Sequence, residues 1–482
     1  MLFNSYPFLF AYLPAVLLTF FGLSKLKLTQ MAKGWLLLSS LFFYGYWDLR
    51  FLPLLIGSIL FNYGCGYQIL TTQSIENKKR FLLIGVLADL ALLFYFKYYN
   101  FFISTVSGDT FNLIEVVLPL GISFFTFTQI AYLVDTYQNK AEQCDLLSYG
   151  LFVTVFPHLI AGPILHHKDM LKQFNDAPMY KISWPNIAQG TFLFVMGLFK
   201  KVVIADDLSA FVKPIFDKGV ENISFVQAWF GALTYTLQLY FDFSGYSDMA
   251  VGLGLLFSLH LPINFNSPYQ ADSIIDFWRR WHMTLSQFLR DYLYIALGGN
   301  RYGKWSKLRN LMITMLLGGL WHGAGWTFVL WGACHGAFLV INHLWRELNF
   351  SLPKWFAKSL TLIAIITSWV IFRSPNLHTA SNILQGMFGF HGLILTEKYA
   401  QSLGFLKSVG VAFGPFPESN FRFHHLILVL FLFIATLTLP NSNHWRHKFM
   451  DKPLRWAAPC AFLFVMSLLY LDEMAEFLYY QF

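Results

Sequence analysis

Apolar residues along this 482-residue chain fall into long blocks separated by short polar breaks. The first block, 7–23, has no positive residue before it and Lys25, Lys27 and Lys33 after it. A cleavable signal sequence has the opposite order, so the block is predicted to be a first span with its N-terminus outside. Block 35–47 then returns outward and 51–70 runs inward. The cluster Lys78, Lys79 and Arg80 lands on the inner side, where positive loops are expected, and 81–96 leads out again. Further blocks lie at 112–134, 147–165, 188–205, 226–241, 246–260, 309–320, 326–345, 356–372, 424–439 and 456–471. Several fall short of the ~18 residues that a simple span needs, or contain Gly and Pro, which points to broken, re-entrant or shielded helices.

Composition agrees with an all-α polytopic membrane protein of about 11 to 13 such helices. Hydrophobic residues make up 56% of the chain and charged residues 12%, about half the charged fraction of a soluble domain. A soluble enzyme, a disordered scaffold and a secreted disulfide module are excluded on that ground. The four cysteines, Cys65, Cys144, Cys334 and Cys460, have no metal-ligand or disulfide-framework spacing. The net charge of +8 fits basic inner loops, and no nucleic-acid partner is expected. No repeat or soluble domain interrupts the single membrane domain.

Segment 271–297 is too polar for a lipid-facing span. Its apolar residues at 274, 278, 281, 285, 288, 289 and 292 follow helical spacing. A helix lying at the interface or dipping into the bundle is predicted, with Arg279, His282, Ser286 and Arg290 on one ridge and a stop at Gly298, Gly299 and Asn300. Residues 271–310 carry seven Arg or Lys and three Asp, an inner-side signature. In the next apolar run, His322 lies between Trp321 and the glycines 323 and 325. An ionisable group at membrane depth is a functional hypothesis, and imidazole suits proton abstraction from a hydroxyl near neutral pH. The competing reading is a tightly packed helix in which His322 donates to a carbonyl. His335 reads as a satisfied interhelical histidine.

His158, His166 and His167 flank the helix-breaking Ala161, Gly162 and Pro163, and raise the question of a metal. With no HExxH and no close His/carboxylate set in sequence, no metal site is predicted. Asp89, inside block 81–96, needs compensation, for which Lys97, Lys200 and Lys201 are candidates. Asp242, Ser244, Ser247 and Asp248 stand beside Gly245, Gly252 and Gly254, a composition suited to helix packing or a lined cavity. Ser244 lacks the strand-to-helix elbow of a serine nucleophile.

FWRRWHMTLSQFLRDYLYIALGGNR at 277–301 and LLGGLWHGAGWTFVLWGACHG at 316–336 resemble the signature of the membrane-bound O-acyltransferases, in the bacterial alginate O-acetyltransferase branch. PLGISFFTFTQIAYLVDTY at 119–137, FPHLIAGPILHH at 156–167, GLFKKVVIAD at 197–206 and YFDFSGYSDMAVGLG at 240–254 support the likeness. Asp207 departs from it, standing where a basic residue is expected. The resemblance places the catalytic core at 119–345, N-terminal helices at 1–110 and C-terminal helices at 346–482, with a variable loop near 395–422.

The resemblance also implies a ring of helices thinned at its centre, with opposed funnels meeting near His322. His322 matches the family's essential histidine and His282 the second histidine of the branch. The implied activity is O-acyl, most simply acetyl, transfer from a cytoplasmic thioester such as acetyl-CoA or an acyl carrier, with no bound cofactor. Arg279, Arg280, Arg290 and Arg301 would suit that anionic donor, or serve only as positive-inside anchors. A separate extracytoplasmic acetyltransferase, a polysaccharide acceptor and membrane lipids are the implied partners, and a bacterial inner membrane the location. D-alanyl transfer to teichoic acid and a histidine-dependent transporter are the alternative readings.

Overall fold

A computed structural model describes residues 1–107, 113–217, 221–414, 423–471 and 478. The described chain is overwhelmingly helical, with one short parallel ladder pairing Leu393–Thr396 with Val411–Gly414. Residues 415–422 of the expected variable loop lie outside the described residues. Among the described residues, six helices are long and apolar enough to cross a membrane: Phe8–Lys25, Leu49–Thr71, Ile75–Val106, Trp184–Phe216, Trp326–Glu347 and Lys354–Arg373. Counting His424–Thr438 with Ser442–Asp451 as one span makes up to seven. Thr29–Gly45, Ile122–Tyr137 and Pro453–Leu469 have 17, 16 and 17 residues, so each is near or below the length of a full span. Leu18, Leu60 and Leu87 are exposed on Phe8–Lys25, Leu49–Thr71 and Ile75–Val106, as a lipid-facing surface requires.

The chain forms two interleaved units. The first comprises Met1–Phe199, Gly245–Asn264 and Ser442–Asp472. Within it, Leu52–Thr71 packs on Ile75–Leu93 and Ile122–Tyr137. Glycines allow the approach: a Cβ on Gly66 would lie 2.6 Å from the Tyr132 ring, and one on Gly85 would lie 2.4 Å from the Leu133 side chain. Block 147–165 is not one span. The helix Leu146–Thr154, capped by the Asp145 carboxylate accepting from Ser148 N at 2.9 Å, gives way to irregular buried backbone. Such backbone survives in a membrane protein only where protein shields it. Lys33, read from sequence as a loop cation, is instead buried in Thr29–Gly45. Its Nζ donates to Ser148 Oγ at 2.8 Å and Asn175 Oδ1 at 2.9 Å.

The second unit comprises Lys200–Ser244, Phe265–Asn441 and Glu473–Phe482. Its centre is the hairpin of Lys304–His322 and Trp326–Glu347, against which Lys354–Arg373 and Ile274–Trp278 pack. The blocks predicted separately at 226–241 and 246–260 form one 32-residue helix, Phe225–Leu256. Gly245 lies inside that helix, and within the first unit its carbonyl is closely approached by Gly197, where a Cβ would fall 2.4 Å from Gly245 O.

Candidate active site

Glycines bring the two helices of the hairpin backbone to backbone. A Cβ on Gly319 would lie 2.3 Å from Phe328 O, and one on Gly332 would lie 2.4 Å from Met315 O. The first helix ends at His322 because Gly323 turns extended, and a Cβ there would strike the Phe328 ring at 2.1 Å. His322 is thereby fixed at a helix end, 5% exposed. Its ring meets Trp331 at 5.1 Å and 87° and Phe372 at 5.3 Å and 79°.

The predicted helix over 271–297 is broken at His282. Ile274–Trp278 stops, His282 adopts a left-handed backbone (φ 42°, ψ 55°), and Met283–Phe288 begins from it. The common ridge of Arg279, His282, Ser286 and Arg290 therefore does not form, since a left-handed residue reverses the helical path. His282 turns inward and is fully buried, edge-on to Phe243 at 4.7 Å. Burial pushes its imidazole down to about 3, so it stays neutral at physiological pH. The Trp321 indole stands 6.3 Å from the His282 ring and 4.9 Å from that of His322. Both predicted histidines thus belong to one aromatic cluster.

The four arginines are placed differently. Arg279 and Arg301 are exposed. Arg280 pairs with Asp276 at 2.8 Å and donates to Asn266 O at 3.4 Å. Arg290, largely exposed, pairs with Asp291 at 2.7 Å. Gly298 and Gly299, at φ 100° and 58°, form the predicted stop.

His335 closes the cluster from behind. Its Nδ1 accepts from Trp278 Nε1 at 3.2 Å, and its Nε2 lies 2.9 Å from Ser368 Oγ. The Ser368 hydroxyl donates to Ile365 O at 2.7 Å, so the consistent tautomer carries the His335 proton on Nε2. Both nitrogens are then satisfied, the structural role read from sequence. Trp369 and Phe372 were not singled out in the sequence. Trp369 stacks on Trp331 at 5.7 Å and 18°, and their i, i+3 spacing on an apolar helix was the available signal.

Asp89 is met by an amide instead of the expected lysine: its Oδ1 accepts from Asn62 Nδ2 at 2.8 Å, while its buried Oδ2 has no hydrogen-bond partner among the described residues. Lys97 reaches Ser123 Oγ at 3.3 Å. Lys201 instead bridges Asp206 and Asp242, each at 2.7 Å, with all three buried. Asp242 also accepts from Leu478 N at 3.2 Å. Ser244 is buried, and its Oγ has no hydrogen-bond partner among the described residues.

In the first unit, Asp135 comes together with His166 and His167. Asp135 Oδ2 is 3.0 Å from His166 Nε2 and 3.5 Å from His167 Nδ1. His158 is committed elsewhere, with Nε2 3.1 Å from Phe152 O.

A profile of the membrane-bound O-acyltransferase family matches residues 41–377. The peptidoglycan O-acetyltransferase of Helicobacter pylori is 42% identical over the whole of this chain and 98% of its own. The probable alginate O-acetylase of Pseudomonas syringae pv. tomato is 43% identical over 84% of this chain and 78% of its own. The teichoic acid D-alanyltransferase of Streptococcus thermophilus is 28% identical over 49% of this chain and 59% of its own.

Proposed function

The chain belongs to the membrane-bound O-acyltransferase family and is a multi-pass membrane O-acyltransferase, and from that premise we propose that it moves acetyl groups from a cytoplasmic thioester to a polysaccharide outside, with His322 as general base. The observation that carries the role of His322 is its placement: a buried imidazole fixed at a helix end and walled by Trp331 and Phe372. Water is scarce in such a wall, so an activated acyl group would be protected from hydrolysis.

The reaction balances simply. His322 takes the proton of the attacking hydroxyl as its oxygen bonds to the thioester carbonyl. The tetrahedral oxyanion then expels the thiolate, which recovers that proton from the imidazolium. An ester and a free thiol result. His282, neutral and one indole away, would position Trp321 and the reacting groups. The hydroxyl belongs either to the acceptor or to a separate extracytoplasmic acetyltransferase that relays the group. Acetyl-CoA or an acyl-carrier thioester serves as donor, and Arg279, Arg280, Arg290 and Arg301 would attract it electrostatically. A bacterial inner membrane with the N-terminus outside fits this direction of transfer.

End-to-end similarity to a peptidoglycan O-acetyltransferase favours a cell-wall acceptor over alginate. The test is acetyl transfer by the purified chain in liposomes supplied with radiolabelled acetyl-CoA. His322→Ala should lower the rate by about 10²–10⁴-fold, the usual worth of a general base, with unchanged gel-filtration behaviour. Full activity of that variant would overturn the assignment. Turnover of a D-alanyl carrier without acetyl consumption would replace acetyl by the second reading.

A further inference from the structure

We propose that Asp135, His166 and His167 form a binding site for a zinc-class divalent cation, independent of the histidine cluster in the second unit. The donors come from two elements. Asp135 lies in the last turn of Ile122–Tyr137, and His166 caps and His167 opens the helix His167–Asn175. The backbone carbonyl of Asp135 accepts from Lys140 N at 2.8 Å and Ala141 N at 3.3 Å, so its position is fixed. Asp135 and His167 are buried and His166 is half-buried.

The spacing fits a coordination sphere. All three donor atoms lie within 4.8 Å of one another. Ligands at about 2.0–2.1 Å from a tetrahedral zinc stand about 3.3 Å apart, and the two distances to Asp135 Oδ2, 3.0 and 3.5 Å, bracket that edge. As a hydrogen bond, the 3.5 Å contact is beyond the usual range. The rings of His166 and His167 are 4.7 Å apart, close enough to serve one ion.

Two imidazoles and one carboxylate select zinc or its neighbours over magnesium and calcium, which prefer all-oxygen sets. Three protein donors leave a fourth position for water. The ion would tie the irregular backbone after Thr154 to the end of Ile122–Tyr137. Sequence spacing hides the set, because Asp135 precedes the histidines by a helix and a loop.

Tag-free full-length protein in detergent, stripped with a chelator and desalted, should take up one equivalent of zinc by metal analysis. Cobalt in its place should give the intense visible absorption of a four-coordinate ion. His166→Ala alters a half-buried side chain and should fold. It should bind zinc at least about 10–100-fold more weakly, the loss typical even of second-shell changes. Zinc should raise the melting temperature of the wild type and not of this variant. His158→Gln should bind as the wild type does. Substoichiometric zinc in the wild type, six-coordinate cobalt, or equal affinity in His166→Ala and Asp135→Asn would each overturn the site.

Discussion

His282 combines a left-handed backbone with a fully buried ring. Its neutral form is favoured by burial, to about 3, against about 6.5 in an unfolded chain. Between those values the unfolded chain takes up a proton that the folded chain refuses. Stability therefore falls as the pH drops below about 6.5. His282→Gln should flatten that acid-side loss in detergent melts run from about pH 7.5 to 4, and an unchanged slope would refute the assignment. Lys201 poses a different balance, since one ammonium offsets two buried carboxylates. Lys201→Met should cost about 3–5 kcal/mol, as loss of one partner of a buried pair does. Adding Asp206→Asn and Asp242→Asn should recover most of it, read as melting temperature and yield of monodisperse protein. Residue identity in the sequence pointed to His282 and His322, because ionisable groups stand out in apolar surroundings. It misassigned Lys201 and Lys33: Lys201 pairs with Asp206 one turn on and with the more distant Asp242, Lys33 with Ser148 and Asn175, and no periodicity marks either set.

At the scale of elements, the hairpin that holds His322 depends on missing side chains. Gly319→Leu would drive a branched side chain into the backbone of Phe328 and should cost at least the 1–3 kcal/mol of ordinary overpacking, with loss of activity as His322 shifts. Gly57→Ala, where a Cβ meets nothing within 4 Å, should be neutral or stabilising by about 0.5–1 kcal/mol. Melting curves of the two variants give the comparison. Apolar blocks located the long helices but not the more polar His167–Asn175, Leu377–Met387 and Ser442–Asp451, and they misread continuity in both directions. The boundary read between 241 and 246 falls inside one long helix, Phe225–Leu256. Segment 271–297 looked continuous, because side-chain spacing carries no record of the backbone reversal at His282.

For the molecule as a whole, the charge pattern makes a prediction about sidedness. Cysteines placed at Lys79 and Arg301, both exposed, should react with a membrane-impermeant maleimide in inside-out vesicles and not in right-side-out ones. Labelling from opposite sides would break the proposed topology. Family membership was legible from the spacing of a few motifs over 119–345. The division into two units was not, because it is drawn by contacts between distant segments. In the first unit, Tyr6 donates to Leu468 O at 3.0 Å, Phe192 stacks on Phe449 at 4.8 Å, and Ser442 bonds the Asp248 carboxylate. These links set a timetable for biosynthesis. The earliest helices to leave the ribosome are completed by some of the last, so a nascent chain must wait in the bilayer with its first unit open until residues beyond 441 arrive. A stop codon anywhere before them would leave the N-terminal helices, too, for quality control to remove.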